Sequence, residues 1–437
     1  MGSGVVKGRA GRALLASLGI LVSLAIAGTT ATAFAHVEQP AETVATAADQ
    51  APAAVTVRFA TFNLEDVRTT DLVNPDGSPK LDQPRLKRLA EVIQRIAPNV
   101  IFLNEIAYDM PGAPGFKDGD QPGQNARRFV EQYLAVPQAP GLAALKFEAF
   151  MAPSNTGVPS GFDLDNDGRV VKEYPEPPGA SADGEPGKQL PGGRSFGNDC
   201  HGFGTFPGQY AMALLVDPRL TIQRDKVRTF RLIPWDYMPA AAWPTKADGS
   251  SFFDEEERKA VRLSSKSHWD VPILLPNGSV VHALCSHPTP PAFDGKEMRN
   301  KKRNHDEIRF WGDYIDQQSW IVDDANQPGG LERGEMFVIL GDLNADPVKG
   351  SSWKNPVGKW LFSLPRVNRE FTPVSSIVVP ELAPSDTAGF KMRVDYVIPS
   401  TDLEVLDGAV WRDLPGGGAA FPSDHFPVWA DLSVPGR

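Results

Sequence analysis

Short stretches in which apolar and polar residues alternate recur along this chain, and such alternation predicts half-buried β-strands. Residues 426–432 are an example, with Phe, Val, Ala and Leu at every second position. Two further stretches flank Asn277-Gly278, the strongest short signal for a β-hairpin. The predicted strands are 55–63, 99–106, 209–216, 271–275, 279–286, 336–341, 393–398 and 426–432.

Three longer segments repeat apolar residues at the spacing of one helix face. The predicted helices are 82–97, 124–136 and 304–319. In the last of these, Asn304 is placed to cap the first turn and Glu307 to reach back to it. Strands, hairpins and helices are mixed along the chain, which favours a sheet-rich α+β domain over a doubly wound parallel fold.

Glycine and proline are concentrated between residues 153 and 208, where they account for 20 of 56 residues. This content predicts a long irregular loop. Residues 231–262 combine aromatic and acidic side chains and are interpreted as an insertion.

The first 35 residues have the parts of a secretory signal peptide. A basic start precedes an apolar run at 13–27, and Ala33-Phe34-Ala35 has the pattern of a cleavage site. We expect cleavage after Ala35, export, and no stable membrane insertion afterwards. An uncleaved anchor is the alternative, although the run is short for a membrane-spanning helix. Residues 36–54 predict a flexible linker before a folded domain at 55–434.

The net charge narrows the choice of ligands. The chain has 44 Lys and Arg against 54 Asp and Glu, a net charge of −10, and loss of Lys7, Arg9 and Arg12 with the signal peptide makes it −13. A protein this acidic is not expected to hold nucleic acid by overall electrostatic attraction. Local contact with phosphate through bound cations is compatible with the charge.

Polar residues of a particular kind stand where predicted strands begin or end. They are Asn63, Glu105, His287, Asp342, Asn344, Asp395, Asp424 and His425. Hydrolysis of a phosphate ester needs an activated water, a cation near the phosphoryl oxygens, and hydrogen-bond donors for the transition state. Carboxylates suit Mg²⁺, amides donate to phosphoryl oxygens, and a histidine oriented by a carboxylate accepts a proton. Singly, a turn or an ion pair explains each residue; together they favour a phosphoesterase site.

The motifs that carry these residues are FATFNLE, IFLNEI, LCSHPTPP, LGDLNADP, VDYVIP and SDHFPV. In this order they resemble the endonuclease/exonuclease/phosphatase superfamily, which has the DNase I-like fold, and in style its secreted bacterial members. The resemblance extends over 55–432, and GDLNADP and SDHFPV are its most specific parts. It implies a four-layer α/β/β/α sandwich, with two mixed β-sheets packed face to face and flanked by helices. Asn104 departs from the family pattern, where glutamine is commoner.

The resemblance also implies roles. The implied metal ligands are Asn63, Glu105 and Asp424, for Mg²⁺ or Mn²⁺. The implied catalytic residues are His287, Asp342, Asn344, Asp395 and His425. Asp395 would orient His425 and Asn344 would hold phosphate, while the family pattern leaves open whether Asp342 or His425 takes the proton from water. Direct attack of water needs no Ser or Cys nucleophile.

The function expected from the sequence is an exported, metal-dependent phosphoesterase that hydrolyses phosphate esters by direct water attack. A phosphodiesterase or nuclease is the first interpretation, and nucleic acid is one candidate substrate. A secreted phosphomonoesterase or a lipid-headgroup phosphodiesterase is the alternative. A non-catalytic binding protein on the same fold is disfavoured, because such proteins usually lose residues of the site.

Two weaker signals concern ligands. Asp163, Asp165 and Asp167 match the first half of a calcium-binding loop, although the twelfth position is Tyr174 instead of Glu. A structural Ca²⁺ site and a solvated acidic turn both explain the pattern. The basic stretch 296–309 supplies three candidates for contacting a phosphate-rich substrate, and a solvated loop and helix start is the alternative. The three candidates are Arg299, Lys302 and Arg303.

Cys200 and Cys285 are the two cysteines of the chain. In an exported protein an even number of cysteines favours a disulfide, and two buried thiols are the alternative.

Overall fold

A computed structural model describes residues 52–174, 192–414 and 420–437 of the protein. The predicted signal peptide and residues 36–51 of the predicted linker lie outside these ranges. Within them, no helix is both long enough and apolar enough to cross a membrane.

The described residues form two β-sheets of six strands each. In chain order the strands are β1 (Val55–Val67), β2 (Val100–Ile106), β3 (Glu148–Phe150), β4 (Met212–Val216), β5 (Thr221–Ile222), β6 (Arg228–Thr229), β7 (His268–Leu274), β8 (Val280–Ser286), β9 (Met336–Asp342), β10 (Asp395–Pro399), β11 (Glu404–Val410) and β12 (Val428–Val434). The first sheet has the order β11-β12-β1-β2-β4-β3, and the second β10-β9-β8-β7-β5 with β6 paired to β7. The pairs β1–β2 and β8–β9 are parallel and the others antiparallel, so the predicted mixed sheets are confirmed.

The two sheets pack face to face over a shared apolar core. Phe102 of the first sheet and Trp269 of the second meet edge to face in this core, with ring centroids 6.0 Å apart. The alternation along each strand places the other set of side chains on the outer faces, where helices cover them. The predicted four-layer α/β/β/α sandwich is confirmed.

The helices are short apart from two. They are α1 (Thr69–Leu72), α2 (Pro84–Ile96), α3 (Asn125–Phe129), which continues as a π-helical turn (Val130–Leu134), α4 (Gly193–Asn198), α5 (Glu255–Ala260), α6 (Arg299–Ile315) and α7 (Pro356–Lys359). The 3₁₀ turns are Arg224–Lys226, Trp235–Tyr237 and Leu361–Ser363. The apolar face of α2 packs on the outside of the first sheet, and that of α6 on the outside of the second.

The predicted start of the third helix at Asn304 is wrong. Helix α6 begins five residues earlier, at Arg299, so Asn304 lies inside it. The buried amide of Asn304 donates to the carbonyls of Thr289 and Leu343, and Glu307 accepts from the backbone of Ser265 and Thr289. Both side chains therefore hold loops against the helix instead of capping it.

The Gly/Pro-rich segment is irregular where it is described, as predicted, apart from α4 and isolated bridges such as Thr156 with Gly202. Residues 175–191 of this segment lie outside the described ranges. In the predicted insertion 231–262, Asp254 and Glu257 form a capping box that begins α5.

The strand directions explain why polar residues meet at one edge. The parallel strands β1 and β2 end together, as do β8 and β9. Strand β10 runs antiparallel to β9 and begins at Asp395, directly opposite Asp342. Strand β12 runs antiparallel to β1, and the segment that enters it carries Asp424 and His425. The same edge of the sandwich therefore receives residues from six strands.

Candidate active site

Asn63 joins the two sheets at this edge. Its buried amide nitrogen donates to Glu105 Oε1 and to Asp342 Oδ2, both at 3.1 Å. Its oxygen accepts from the backbone N–H of Glu65 at 3.0 Å. A residue from the end of β1 thus sets the separation between a carboxylate of the first sheet and a carboxylate of the second.

Glu105 lies at a kink in β2, with a positive φ of 63° that turns the side chain toward the other sheet. Its second carboxylate oxygen accepts from the backbone N–H of Asp66 at 3.1 Å. Burial raises the pKa of Glu105 to about 7, and the negative charges of Asp424 and Asp66 act in the same direction. The side chain is nevertheless 21% exposed, so a ligand from solvent can reach it.

Asp342 ends β9 and is almost fully buried. Its Oδ1 accepts from the backbone N–H of Asn344 at 2.8 Å. Burial raises the pKa of Asp342 to about 7 although the positive charge of His425 opposes this, and the carboxylate of Asp395 raises it further. The preceding Gly341 has a φ of 139°, and a Cβ there would lie 2.0 Å from the carbonyl oxygen of Ser286. Only glycine permits this close approach of β8 and β9 beside the site.

His425 and Asp395 form a buried pair. His425 Nδ1 lies 2.8 Å from Asp395 Oδ2, while Nε2 faces Asp342 Oδ2 at 3.8 Å. Burial acts to lower the pKa of His425, but the carboxylates of Asp395, Asp342 and Asp424 outweigh it and raise the pKa well above its usual value. The ring of Phe390 packs edge to face against the imidazole, with ring centroids 5.4 Å apart.

His287 follows β8 and completes the group. Its Nε2 lies 3.5 Å from Asp342 Oδ2 and 3.9 Å from Glu105 Oε1, and its Nδ1 has no hydrogen-bond partner among the described residues. Burial lowers the pKa of His287 well below its usual value, and the positive charges of Lys266 and His425 act in the same direction. His287 is therefore a neutral imidazole between two carboxyl groups.

These residues fit a divalent cation. Asp342, Asp395 and His425 offer ligand atoms within 4.8 Å of one another, although Asp395 is engaged with His425. The raised pKa values of Glu105 and Asp342 mean that the carboxylates lack enough neighbouring positive charge, which a cation would supply. Asp424, with its side chain 51% exposed, contributes further negative charge at the rim.

The family model for the endonuclease/exonuclease/phosphatase family matches residues 60–425. The chain belongs to this family. Family members are metal-dependent hydrolases of phosphate esters, so the enzyme class predicted from the sequence is confirmed. No curated protein sequence matches the chain significantly.

Several solved structures are similar to the chain. A Beutenbergia cavernae endonuclease/exonuclease/phosphatase is 17% identical with a TM-score of 0.46, and the alignment covers 87% of this chain and 72% of that one. The human Nocturnin catalytic domain is 13% identical (TM-score 0.42, covering 87% and 93%). The Bacteroides thetaiotaomicron mannosyl-6-phosphatase is 13% identical (TM-score 0.40, covering 86% and 99%).

All eight strand-end residues of this endonuclease/exonuclease/phosphatase domain converge at the same edge. Two of them differ in detail from the implied roles. Asn63 presents its nitrogen instead of its oxygen to the carboxylates. Asn344 donates its side-chain N–H to the carbonyl of Pro288 at 3.1 Å, so this donor is engaged within the protein.

The basic stretch of this domain does not line the site as predicted. The Arg299 guanidinium donates to the carbonyl of Leu164, and Lys302 donates to the carbonyl of Trp243 at 3.0 Å. Arg303 is buried and donates to three backbone carbonyls. These cations are used to fasten loops to α6, because buried carbonyls need donors.

Sequence reasoning missed Lys266, which is almost fully buried next to the site. Its Nζ lies 3.5 Å from the carbonyl oxygen of Pro288, and burial lowers its pKa. The surrounding sequence, LSSKSHW, has the composition of a solvated turn and gives no signal of burial. Only the packing of the loop before β7 against the strand ends reveals it.

The acidic cluster in the Gly/Pro-rich segment contains a different third residue from the one predicted. Carboxylate oxygens of Asp163, Asp165 and Asp199 lie within 4.8 Å of one another, whereas Asp167 is not part of this cluster. Instead, the backbone N–H of Asp167 donates to Asp163. Asp199 is the third member because residues 163–165 fold against the end of α4, where the backbone N–H of Leu164 donates to the Asp199 carboxylate. Burial raises the pKa of Asp199 to about 6, and structural Ca²⁺ stays a prediction.

The predicted disulfide is not formed. Cys200 and Cys285 are both buried free thiols. Cys285 lies in the core between the sheets, while the Cys200 thiol donates to the carbonyl of Phe196 in α4. Burial raises the pKa of both thiols.

Proposed function

We propose that the protein is an exported phosphodiesterase that hydrolyses its substrate by direct attack of water on phosphorus. One observation carries the proposal: Asn63 holds the carboxylates of Glu105 and Asp342 together, beside the pair formed by His425 and Asp395. Export with cleavage after Ala35 is part of the proposal, and N-terminal sequencing of protein from the culture medium tests it.

Glu105 and Asp424 are the residues we expect to hold a divalent cation, Mg²⁺ or Mn²⁺. Both side chains are partly exposed. The negative charge of Asp424 repels that of Glu105, and a bound cation would offset this repulsion. The cation, when bound, supplies charge stabilisation for the phosphoryl oxygens. Asn63 keeps Glu105 in position from behind.

Asp342 is better suited than His425 to accept the proton from the attacking water. A pKa of about 7 matches a general base that works near neutral pH. The strongly raised pKa of His425 keeps that imidazole protonated, so it acts as a hydrogen-bond donor to the phosphate and compensates its charge. Asp395 holds the ring in this orientation at 2.8 Å. Neutral His287, whose Nε2 lies 3.5 Å from Asp342 Oδ2, is the residue we expect to donate to the leaving oxygen.

A substrate panel tests the proposal and ranks the alternatives. We expect EDTA-sensitive, Mg²⁺-restored hydrolysis of bis-p-nitrophenyl phosphate, with plasmid DNA, RNA, a phosphomonoester and a phospholipid headgroup ester as the other arms. Turnover of the phosphomonoester alone would replace the diesterase with the phosphomonoesterase alternative. No turnover of any arm with Mg²⁺, Mn²⁺ or Ca²⁺ would contradict catalysis altogether.

The affinity for Mg²⁺ is expected to fall as the pH drops through about 7. Because burial raises the pKa of Glu105 to about 7, this ligand binds a proton below that pH, and a cation must displace it; Asp342, with a pKa of about 7, loses its negative charge beside the cation in the same range. The apparent affinity should weaken about tenfold per pH unit for each proton displaced, and level off in alkali. Isothermal titration calorimetry between about pH 5.5 and pH 8.5 measures this; a flat profile would contradict it.

A further inference from the structure

A cluster of basic side chains lies beside the candidate active site, on segments that are absent from the family motifs. Asn155, which is fully buried, is its centre. The Asn155 amide nitrogen donates to the carbonyl of Arg231 at 2.7 Å, and its oxygen accepts from the Arg262 guanidinium. Arg303 lies beneath and donates to the carbonyls of His201 and Arg262. Asn155 and Arg303 thus bring together three further segments of the chain, which carry His201, Arg231 and Arg262.

The cluster is continuous with the active site. The backbone N–H of Asn155 donates to the carbonyl of Lys266 at 2.9 Å. Lys266 Nζ in turn lies 3.5 Å from the carbonyl oxygen of Pro288, which also accepts from Asn344. Backbone and side-chain contacts through Lys266 thus connect the cluster to the loop that carries Pro288 at the active site.

The backbone around the cluster is packed so closely that its geometry is well defined. The N–H groups of Gly157 and Gly202 bond across the two loop segments, at 2.9 and 3.1 Å. A Cβ at Gly202 would lie 1.7 Å from the carbonyl oxygen of Ser265, so only glycine fits there. The cluster is held by a rigid platform, as a binding site requires.

Like charges dominate the cluster. Asp324 attracts Arg262, and Glu307 attracts Arg303 and Lys266, which also faces Glu105 and Asp342 of the active site. Asp324 accepts from the backbone N–H groups of Arg231 and Leu232, and Glu307 from those of Ser265 and Thr289. Burial lowers the pKa of Arg262 to about 10, and the neighbouring charges of Arg231 and Arg303 lower it further. Bringing like charges together costs free energy that a bound anion would return.

Two donors of the cluster lack a partner. The hydrogen bonds that the described residues show for Arg231 all use its backbone, so its guanidinium is available. His201 is 8% exposed, and its Nδ1 has no hydrogen-bond partner in the described structure. Burial and the three arginines lower the pKa of His201 to about 3, so the ring stays neutral and can donate one N–H without adding charge. The guanidinium of Arg231 and the ring nitrogen of His201 therefore leave hydrogen-bonding capacity for a ligand.

We propose that Arg231, Arg262 and His201 form an anion subsite that binds a second, non-scissile phosphate group of the substrate. The proposal rests on the proposed function, because it places this phosphate next to one that is hydrolysed. The planar guanidinium groups suit a phosphate, since they offer paired N–H donors to its oxygens. The ligand class is a compound with at least two phosphates, such as a 5′-phosphorylated oligonucleotide or a small bisphosphate.

Binding of inorganic phosphate to the protein in EDTA tests the subsite without any turnover. We expect Arg231→Gln to weaken phosphate binding about 10- to 100-fold, because charged hydrogen bonds are lost. Arg231→Lys should recover part of the affinity, which a purely structural role would not predict. Arg369→Gln is the matched control: Arg369 is exposed, pairs with Glu370, and follows Asn368, whose backbone N–H donates to the carbonyl of Pro399 at the end of β10 away from the site. Equal phosphate affinity in the wild type and in Arg231→Gln, with unchanged unfolding temperature, would overturn the proposal.

Kinetics then identify the substrate source. KM should rise in Arg231→Gln for a 5′-phosphorylated thymidine dinucleotide or for a sugar bisphosphate, whichever the subsite serves, and stay unchanged for bis-p-nitrophenyl phosphate. If the KM for both compounds is the same in the wild type and in Arg231→Gln, the cluster has no role in substrate binding. If no compound is hydrolysed, the proposed function fails, while the phosphate titration still decides the subsite.

Discussion

His425→Ala is expected to lower kcat/KM for bis-p-nitrophenyl phosphate by about 10³-fold, because general acid–base and charge-stabilising groups contribute on this scale. The imidazole is buried and held by Asp395 at 2.8 Å, with Nε2 directed toward Asp342, and the surrounding carboxylates raise its pKa well above the usual value. Its removal takes away both the donor to the phosphate and the positive charge that lowers the pKa of Asp342. Steady-state kinetics with saturating Mg²⁺ measure the loss.

The chain contains a matched control for this variant. His282 and Asp270 form a second half-buried pair, with Nδ1 and Oδ1 2.7 Å apart, in the second sheet and away from the strand ends. His282→Ala should destabilise the protein by roughly 1–3 kcal/mol, since it removes one hydrogen bond from the buried Asp270 carboxylate, which keeps its hydrogen bond from the Tyr314 hydroxyl. It should keep wild-type activity. Equal activity in both variants would remove His425 from the catalytic set.

Glu105→Gln is expected to reduce metal-dependent hydrolysis by about 10²- to 10³-fold and to weaken Mg²⁺ binding, since the amide keeps the shape but not the charge of the ligand. Both carboxylate oxygens of Glu105 accept hydrogen bonds, from the Asn63 amide and from the backbone N–H of Asp66, so the glutamine keeps the volume but can keep only one of these two hydrogen bonds. Calorimetric titration with Mg²⁺ and kinetics at raised Mg²⁺ separate loss of binding from loss of catalysis.

The same variant should be more stable than the wild type when metal is removed. The pKa of Glu105 is raised from 4.5 in the unfolded chain to about 7 in the folded protein. Ionisation of this carboxyl therefore destabilises the fold increasingly between these two pH values, and fully above about pH 7. At about pH 8 in EDTA, Glu105→Gln should therefore raise the free energy of unfolding by on the order of 1–3 kcal/mol. Glu148→Gln, on the exposed edge strand β3 of the same sheet, is the control and should change neither property. A destabilised but fully active Glu105→Gln would contradict the assignment.

The sandwich followed from the sequence because its strands are regular. Residues 426–432 alternate apolar and polar side chains, and the strand begins at Val428 with this alternation intact. The Asn277-Gly278 hairpin lies between β7 and β8, as predicted. Local rules suffice where burial on one face repeats with the period of the strand.

The start of α6 could not be read from the same rules. Residues 299–303 are Arg, Asn, Lys, Lys and Arg, which have no apolar period and suggest a solvated stretch. They are helical because loops distant in sequence supply carbonyl acceptors for their side chains. Tertiary contacts thus override the local pattern.

The sequence by itself determined the set of reactive residues. Motifs such as GDLNADP place these residues at strand ends, independently of the conformation of the loops. The tertiary structure alone decided their electrostatic character. Glu105 and Asp342 are 237 residues apart in the chain and share one buried amide donor, and burial raises the pKa of both carboxyl groups to about 7. Charge is long-ranged and depends on which groups burial brings together, so the acidity of the site and the arginine cluster around Asn155 exist only in the folded molecule.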